Sequence, residues 1–163
     1  MTPSKLSQAE FLARFAPVYE ASPWVAEAVW PHAQAGMLDA PQAMAAAMRS
    51  VVDRAPREAK LTLIRAHPEL ASRTRMAEAS VREQSGAGLD QCSAAEFATF
   101  HRLNDAYGAR FGHPFIVAVK GLTRADILAA FEARLESDPE TEFETAMAEI
   151  HRIAAFRIAD LFA

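Results

Sequence analysis

The chain has 163 residues, the size of one domain and too short for two comfortable ones. Its 17 basic and 21 acidic residues leave a net charge of -4, which argues against a nucleic-acid binder, and its single cysteine, Cys92, excludes an internal disulfide and a cysteine-built metal cage. No apolar run approaches the ~20 residues of a membrane span, Met1–Glu10 lacks the apolar core of a signal peptide, and Asp160–Ala163 is not a peroxisomal signal, so a cytoplasmic protein without a membrane partner is expected.

Alanine, the best helix former, occurs 36 times, and only 6 glycines interrupt it. Helices are predicted near residues 7–16, 23–33, 41–54, 56–66, 80–87, 93–110, 123–136 and 139–162. Pro23, Pro41, Pro56 and Pro139 each open an apolar-periodic stretch, as proline at the first helical position should, and Ser22 and Asp138 precede two of them as candidate caps. Four capping boxes pair Ser7 with Glu10, Ser80 with Glu83, Ser93 with Glu96 and Thr123 with Asp126. Only Phe115-Ile116-Val117-Ala118-Val119 looks strand-like. A lone strand has no partner, so this run is expected as a buried extended segment or a short helix. The fold expected is an all-α single domain over residues 1–163, a bundle of about eight helices with no sheet.

Polar residues in apolar positions mark the candidate site. In the last helix, Phe143, Met147, Ile150, Ala154, Ile158 and Leu161 form the buried stripe, and Arg157 lies on it. A buried guanidinium needs an anionic partner, either a protein carboxylate or a bound ligand; a snorkelling arginine is the blander alternative. His67 continues the apolar face of Leu63 and Ile64, and Pro68 stops the helix behind it. Such a histidine suits proton transfer near neutral pH, or simply fills a core or capping position. Ser80-Val81-Arg82-Glu83-Gln84-Ser85-Gly86-Ala87-Gly88-Leu89 reads as an ordinary capping box closed by glycines but also offers a carboxylate, an amide and free backbone N–H groups close together. His32, His67, His101, His113 and His151 show no metal-ligand spacing, and no Gly-x-Ser-x-Gly elbow is present.

Taken in order, the motifs coincide with one pattern. They are His67-Pro68-Glu69-Leu70-Ala71, Ser80-x-x-Glu83-Gln84, Ala87-Gly88-Leu89, Asn104-x-x-Tyr107, Phe111-Gly112-His113-Pro114-Phe115-Ile116, and Glu149-Ile150 with Arg157. Together they resemble the 2-oxo-4-hydroxy-4-carboxy-5-ureidoimidazoline (OHCU) decarboxylases, from about residue 7 to residue 161. The resemblance implies an all-α, cofactor-free homodimer that converts OHCU to (S)-allantoin, the last step from urate. It implies catalytic roles for His67, Glu83 and Arg157. Substrate contacts are implied for Pro68, Ser80 and Gln84, and for the Phe115, Ile116, Val117, Ala118 and Val119 segment, partly through backbone groups. No metal is implied. His113 departs from the pattern, where phenylalanine is expected in many relatives. The competing readings are a non-catalytic helical module that binds a small ureide or anion, and a different cofactor-free lyase or hydrolase.

Overall fold

The structure, a computed structural model, describes residues 1–72 and 78–163. Among them are eight α-helices and no strand: α1 (Gln8–Phe15), α2 (Trp24–Gln34), α3 (Pro41–Asp53), α4 (Arg57–Ala66), α5 (Glu78–Gly86), α6 (Ala94–Phe111), α7 (Arg124–Leu135) and α8 (Pro139–Phe162). The all-α expectation therefore holds, with helix ends close to those the sequence predicts. No helix of the described residues is long and apolar enough to cross a membrane.

Local sequence explains most of these boundaries. Ser7, Ser93 and Thr123 each form a complete capping box with the acid three residues on, satisfying the free N–H groups of the first turn. The Asp138 carboxylate caps α8, accepting from the Thr141 N–H at 2.9 Å and its hydroxyl at 2.7 Å. Those bonds hold the Asp138 carboxyl below its usual range. Gly112 ends α6 in the left-handed conformation, φ 75°, which costs glycine little.

Two expectations fail. Ser22 does not cap α2. Pro23 occupies the N-cap position, and the Ser22 hydroxyl donates instead to the Glu20 carbonyl at 2.8 Å. Nor do Ser80 and Glu83 form a capping box: α5 already includes Glu78, so Ser80 has helical rather than extended backbone.

The chain forms two compact units, Met1–Ala66 with Ile150–Ala163, and His67–Glu149. In the first, α2 packs on α3 and α1, and the core holds Phe11, Phe15, Val25, Val29, Met44, Met48 and Val52. Phe11 stacks on Phe15 with centroids 4.6 Å apart, and Phe15 meets Phe162 edge-on at 6.1 Å. In the second, α6 packs on α7 around Phe100, Leu103, Tyr107, Phe115, Ile127 and Phe131. Phe115 and Phe131 stack at 3.9 Å with planes 9° apart. Each such aromatic contributes about 2–3 kcal/mol by burial, which is why two small cores suffice.

Candidate functional site

The second unit carries all but one of the sequence-predicted site residues. α4 stops at Ala66, because Pro68 cannot continue it, and leaves His67 buried at the helix end. The chain then turns sharply. Ala71 takes a left-handed φ of 55°, a conformation that costs a residue with a Cβ about 1–2 kcal/mol. Three bonds hold the turn against that strain. The Ala71 N–H donates to Gln84 Oε1 at 2.9 Å, Gln84 Nε2 donates to the Glu69 carbonyl at 3.3 Å, and Asn104 Nδ2 donates to the Leu70 carbonyl at 3.0 Å. Gln84, a predicted substrate contact, thus also braces the segment that begins with His67. Asn104 does the same from α6, a role that the sequence did not reveal.

Ser80 and Gln84 are both buried and lie four residues apart on α5, so they share one face; Glu83, half-buried, stands beside them. With the capping box gone, Glu83 loses the ordinary explanation the sequence offered for it. The Glu83 carbonyl accepts from the Ala87 N–H at 3.2 Å, and Gly88, φ 78°, carries the chain out of the helix.

Phe115 to Val119 are all buried and belong to neither helix nor strand. Of the two alternatives the sequence offered, the short helix is not formed, and the segment is buried as expected. The Ile116 carbonyl accepts from Arg134, and the Val119 carbonyl from the Leu122 N–H. Among the described residues, no N–H group from Phe115 to Val119 donates a hydrogen bond. Over nine-tenths of buried backbone donors are paired in folded proteins, so five in succession form an uncommon row of donors. His113, the departure from the family pattern, is buried with its ring edge-on to Tyr107 at 5.6 Å. Its Nδ1 lies 3.0 Å from the Pro114 carbonyl.

Arg157 belongs to the first unit. Its Nη1 donates to Glu20 Oε2 at 2.9 Å and to the Pro17 and Val18 carbonyls at 3.3 Å, with both charged side chains more than nine-tenths buried. Of the partners the stripe pattern left open, a protein carboxylate is therefore present, 137 residues away in sequence. Tyr19, next to Glu20, is gripped from the same helix. Its hydroxyl lies 2.8 Å from His151 Nδ1, and His151 Nε2 lies 2.9 Å from Asp53 Oδ1; the carboxylate oxygen accepts, so Nε2 carries a proton, and in the neutral ring Nδ1 accepts from Tyr19. Burial lowers the His151 pKa, opposed by Asp53, and burial raises that of the Tyr19 phenol. Two turns of α8 thus fix the stretch from Pro17 to Glu20, a short 3-10 turn running into a bend, which in turn holds Arg157.

Among the described residues, no group of three or more His, Cys, Asp or Glu side chains is placed to hold a metal ion. A cavity of about 780 Å³ in the first unit is lined by Trp24, Val29, His32, Leu38, Val51 and Arg54 among others, and holds none of the predicted site residues. Chemically, the second unit supplies an imidazole at a rigid helix end, a hydroxyl and carboxylate on one helix, and a row of backbone donors. The first supplies a buried guanidinium held by a carboxylate.

Known proteins resemble this chain over most of its length. The family described as OHCU decarboxylase matches residues 4–159. The 2-oxo-4-hydroxy-4-carboxy-5-ureidoimidazoline decarboxylase of Haloferax volcanii is 42% identical over 159 residues, covering 98% of this chain and 93% of that protein. The uric acid degradation bifunctional protein PucL of Bacillus subtilis is 45% identical over 147 residues; the match covers 88% of this chain and 28% of that longer protein. A crystal structure of (S)-allantoin synthase superposes with a TM-score of 0.78 at 31% identity, covering 97% of this chain and 52% of that one.

Proposed function

Because the chain belongs to the OHCU decarboxylase family, we propose that it decarboxylates 2-oxo-4-hydroxy-4-carboxy-5-ureidoimidazoline to (S)-allantoin in urate breakdown. The match over residues 4–159, with the site motifs in order, is the observation that carries this reading. Residues 1–163 act as one decarboxylase domain, working in the cytoplasm as a homodimer and without a cofactor.

The substrate is a small polar ring bearing a carboxylate, a hydroxyl and a ureido group. The bond from the ring carbon to the carboxylate breaks, carbon dioxide leaves, and the electron pair passes into the adjacent ring imine, whose nitrogen takes up a proton. The hydroxyl then gives up its proton to become a carbonyl, and a proton returns to the neighbouring ring carbon on one face. Atoms balance as OHCU to allantoin plus carbon dioxide. His67 is the general base and acid at the hydroxyl, a role that contributes typically ~10²–10⁴-fold. Its burial at a helix end closed by Pro68 supports that assignment. Glu83 orients the imidazole or the hydroxyl and favours the charged imidazole. Arg157 binds the anionic substrate and stabilises the developing negative charge, an effect that is strongest away from water.

Pro68 lines the pocket, and Ser80 and Gln84 hydrogen-bond the ureido and ring amides. The N–H groups of Phe115 to Val119 complete this set; that they make no other hydrogen bond among the described residues supports their reading as ring-amide donors.

The test is circular dichroism of allantoin as it forms. Substrate is generated fresh from urate and passed to purified protein, beside a protein-free control. Rapid growth of the S enantiomer is the expected result. A slow, optically inactive product matching the control overturns the proposal and leaves a binding module.

A further inference from the structure

Behind the Phe115–Val119 row stands a buried polar cluster with no part in the mechanism above. Glu142 is fully buried in the first turn of α8. Its Oε1 accepts from the Tyr107 hydroxyl at 2.5 Å and from Arg134 Nε at 2.6 Å. Arg134 Nη1 in turn donates to the Ile116 carbonyl. Its guanidinium carbon also lies over the Phe115 ring, 4.3 Å from the centroid. One arginine therefore fixes the side chain of Phe115 and the backbone of Ile116 together. A carboxylate that Tyr107 also holds keeps it in place.

This geometry has a directional consequence. No cis peptide bond occurs among the described residues, so the Ile116–Val117 peptide is trans and planar. In a trans peptide the C=O and N–H point in opposite directions. With the Ile116 carbonyl turned to Arg134, the Val117 N–H is turned away from it. Neither end is then free to rotate, because flipping the peptide would break a charge-assisted bond in a buried setting.

We propose that Arg134 is a positioning residue for the decarboxylase: held by Glu142 and Tyr107, it aims the Val117 N–H at the substrate ring. The proposal rests on the decarboxylase reading above and goes beyond it. It selects one donor from the row of five and names the three side chains that set its direction. A pre-aimed backbone donor contributes to substrate binding and leaves the proton chemistry to other groups. Losing its direction therefore raises KM more than it lowers kcat. General destabilisation does the opposite: it removes active molecules, so kcat falls while KM stays.

The test is steady-state turnover of freshly generated OHCU by the wild type, Arg134→Lys and Glu142→Gln. Lysine keeps the charge that Glu142 needs. Its single ammonium cannot serve Glu142 and the Ile116 carbonyl at once from a place over the Phe115 ring. The expected result for Arg134→Lys is a KM raised about tenfold, the worth of one well-aimed hydrogen bond, with kcat within about threefold of wild type. Glu142→Gln, which keeps an oxygen acceptor, is expected to show a smaller rise of the same kind. An unchanged KM in folded Arg134→Lys overturns the proposal, whatever kcat does. Should Arg134→Lys not fold, Tyr107→Phe decides. It keeps the ring packing and loosens Glu142, so a KM raised about threefold supports the aiming role and an unchanged KM overturns it. A wild type no faster than the protein-free control sinks the decarboxylase reading and this inference with it. An active wild type beside an unchanged variant KM sinks the inference alone.

Discussion

Replacing Glu20 by glutamine tests how Arg157 is held. The substitution keeps the size of the side chain and an oxygen acceptor, and deletes one charge of a pair in which both partners are more than nine-tenths buried. Removing one partner of a buried ion pair costs about 3–5 kcal/mol, because the remaining charge stays desolvated. Arg157 keeps the Pro17 and Val18 carbonyls at 3.3 Å, so the lower end, about 3 kcal/mol, is expected. That is a large share of the roughly 5–15 kcal/mol that holds a domain together. With a urea dependence of about 2 kcal/mol per molar, the unfolding midpoint should fall by about 1.5 M at pH 7, read by far-ultraviolet circular dichroism. The double variant Glu20→Gln with Arg157→Met should recover much of the loss, since no unpaired charge then remains. A midpoint shift below about 0.3 M in Glu20→Gln would refute the reasoning: the guanidinium would then be solvated rather than held by its counter-charge.

Three further outcomes are expected. His67→Ala should abolish stereoselective turnover while leaving the unfolding midpoint near that of wild type; full rate and selectivity would remove His67 from the mechanism. Glu83→Gln should lower kcat at little cost in stability, since Ser80 lies inside α5 and forms no capping box with Glu83; undiminished activity would return Glu83 to a structural role. His151 has a folded pKa below its ordinary 6.5, so the unfolded chain binds the proton first as the solution is acidified. Its stabilising contribution is therefore complete above pH 6.5 and lost as the pH falls from there toward the folded value. Urea midpoints of wild type and His151→Gln measured between pH 7.5 and 5 should converge on acidification, and parallel curves would count against the neutral imidazole.

What the sequence made legible was local. The helix starts at Ser7, Ser93, Thr123 and Pro139 rest on contacts within three residues, and the α8 stripe rests on spacing alone. The same locality misled at Ser80. A serine three residues before a glutamate has one appearance whether it caps a helix or lies within one, and only the backbone at Glu78 distinguishes them. Arg157 was conspicuous because it interrupts an apolar stripe, yet its partner Glu20 was not, since nothing near residue 20 refers to residue 157. Glu142 was hidden differently. An acid in the first turn of a helix is ordinary on the surface, and its complete burial follows from Tyr107 and Arg134, which arrive from two other helices. Asn104 and Tyr107 did carry a signal as one spaced motif, but spacing could not say that one ties the His67 turn and the other the Arg134 cluster.

The row of N–H groups from Phe115 to Val119 bears on how this protein tolerates change. A donor borne by a side chain is lost with a single substitution, whereas one borne by the backbone survives every replacement except proline. Phe115, Ile116, Val117, Ala118 and Val119 can thus drift among apolar residues that still exclude water while the donors persist. Such a site tolerates mutation in its residue identities and stays fragile in its backbone path. A proline or a one-residue insertion here should do more harm than any exchange of side chains, because either one alters the order of the donors themselves.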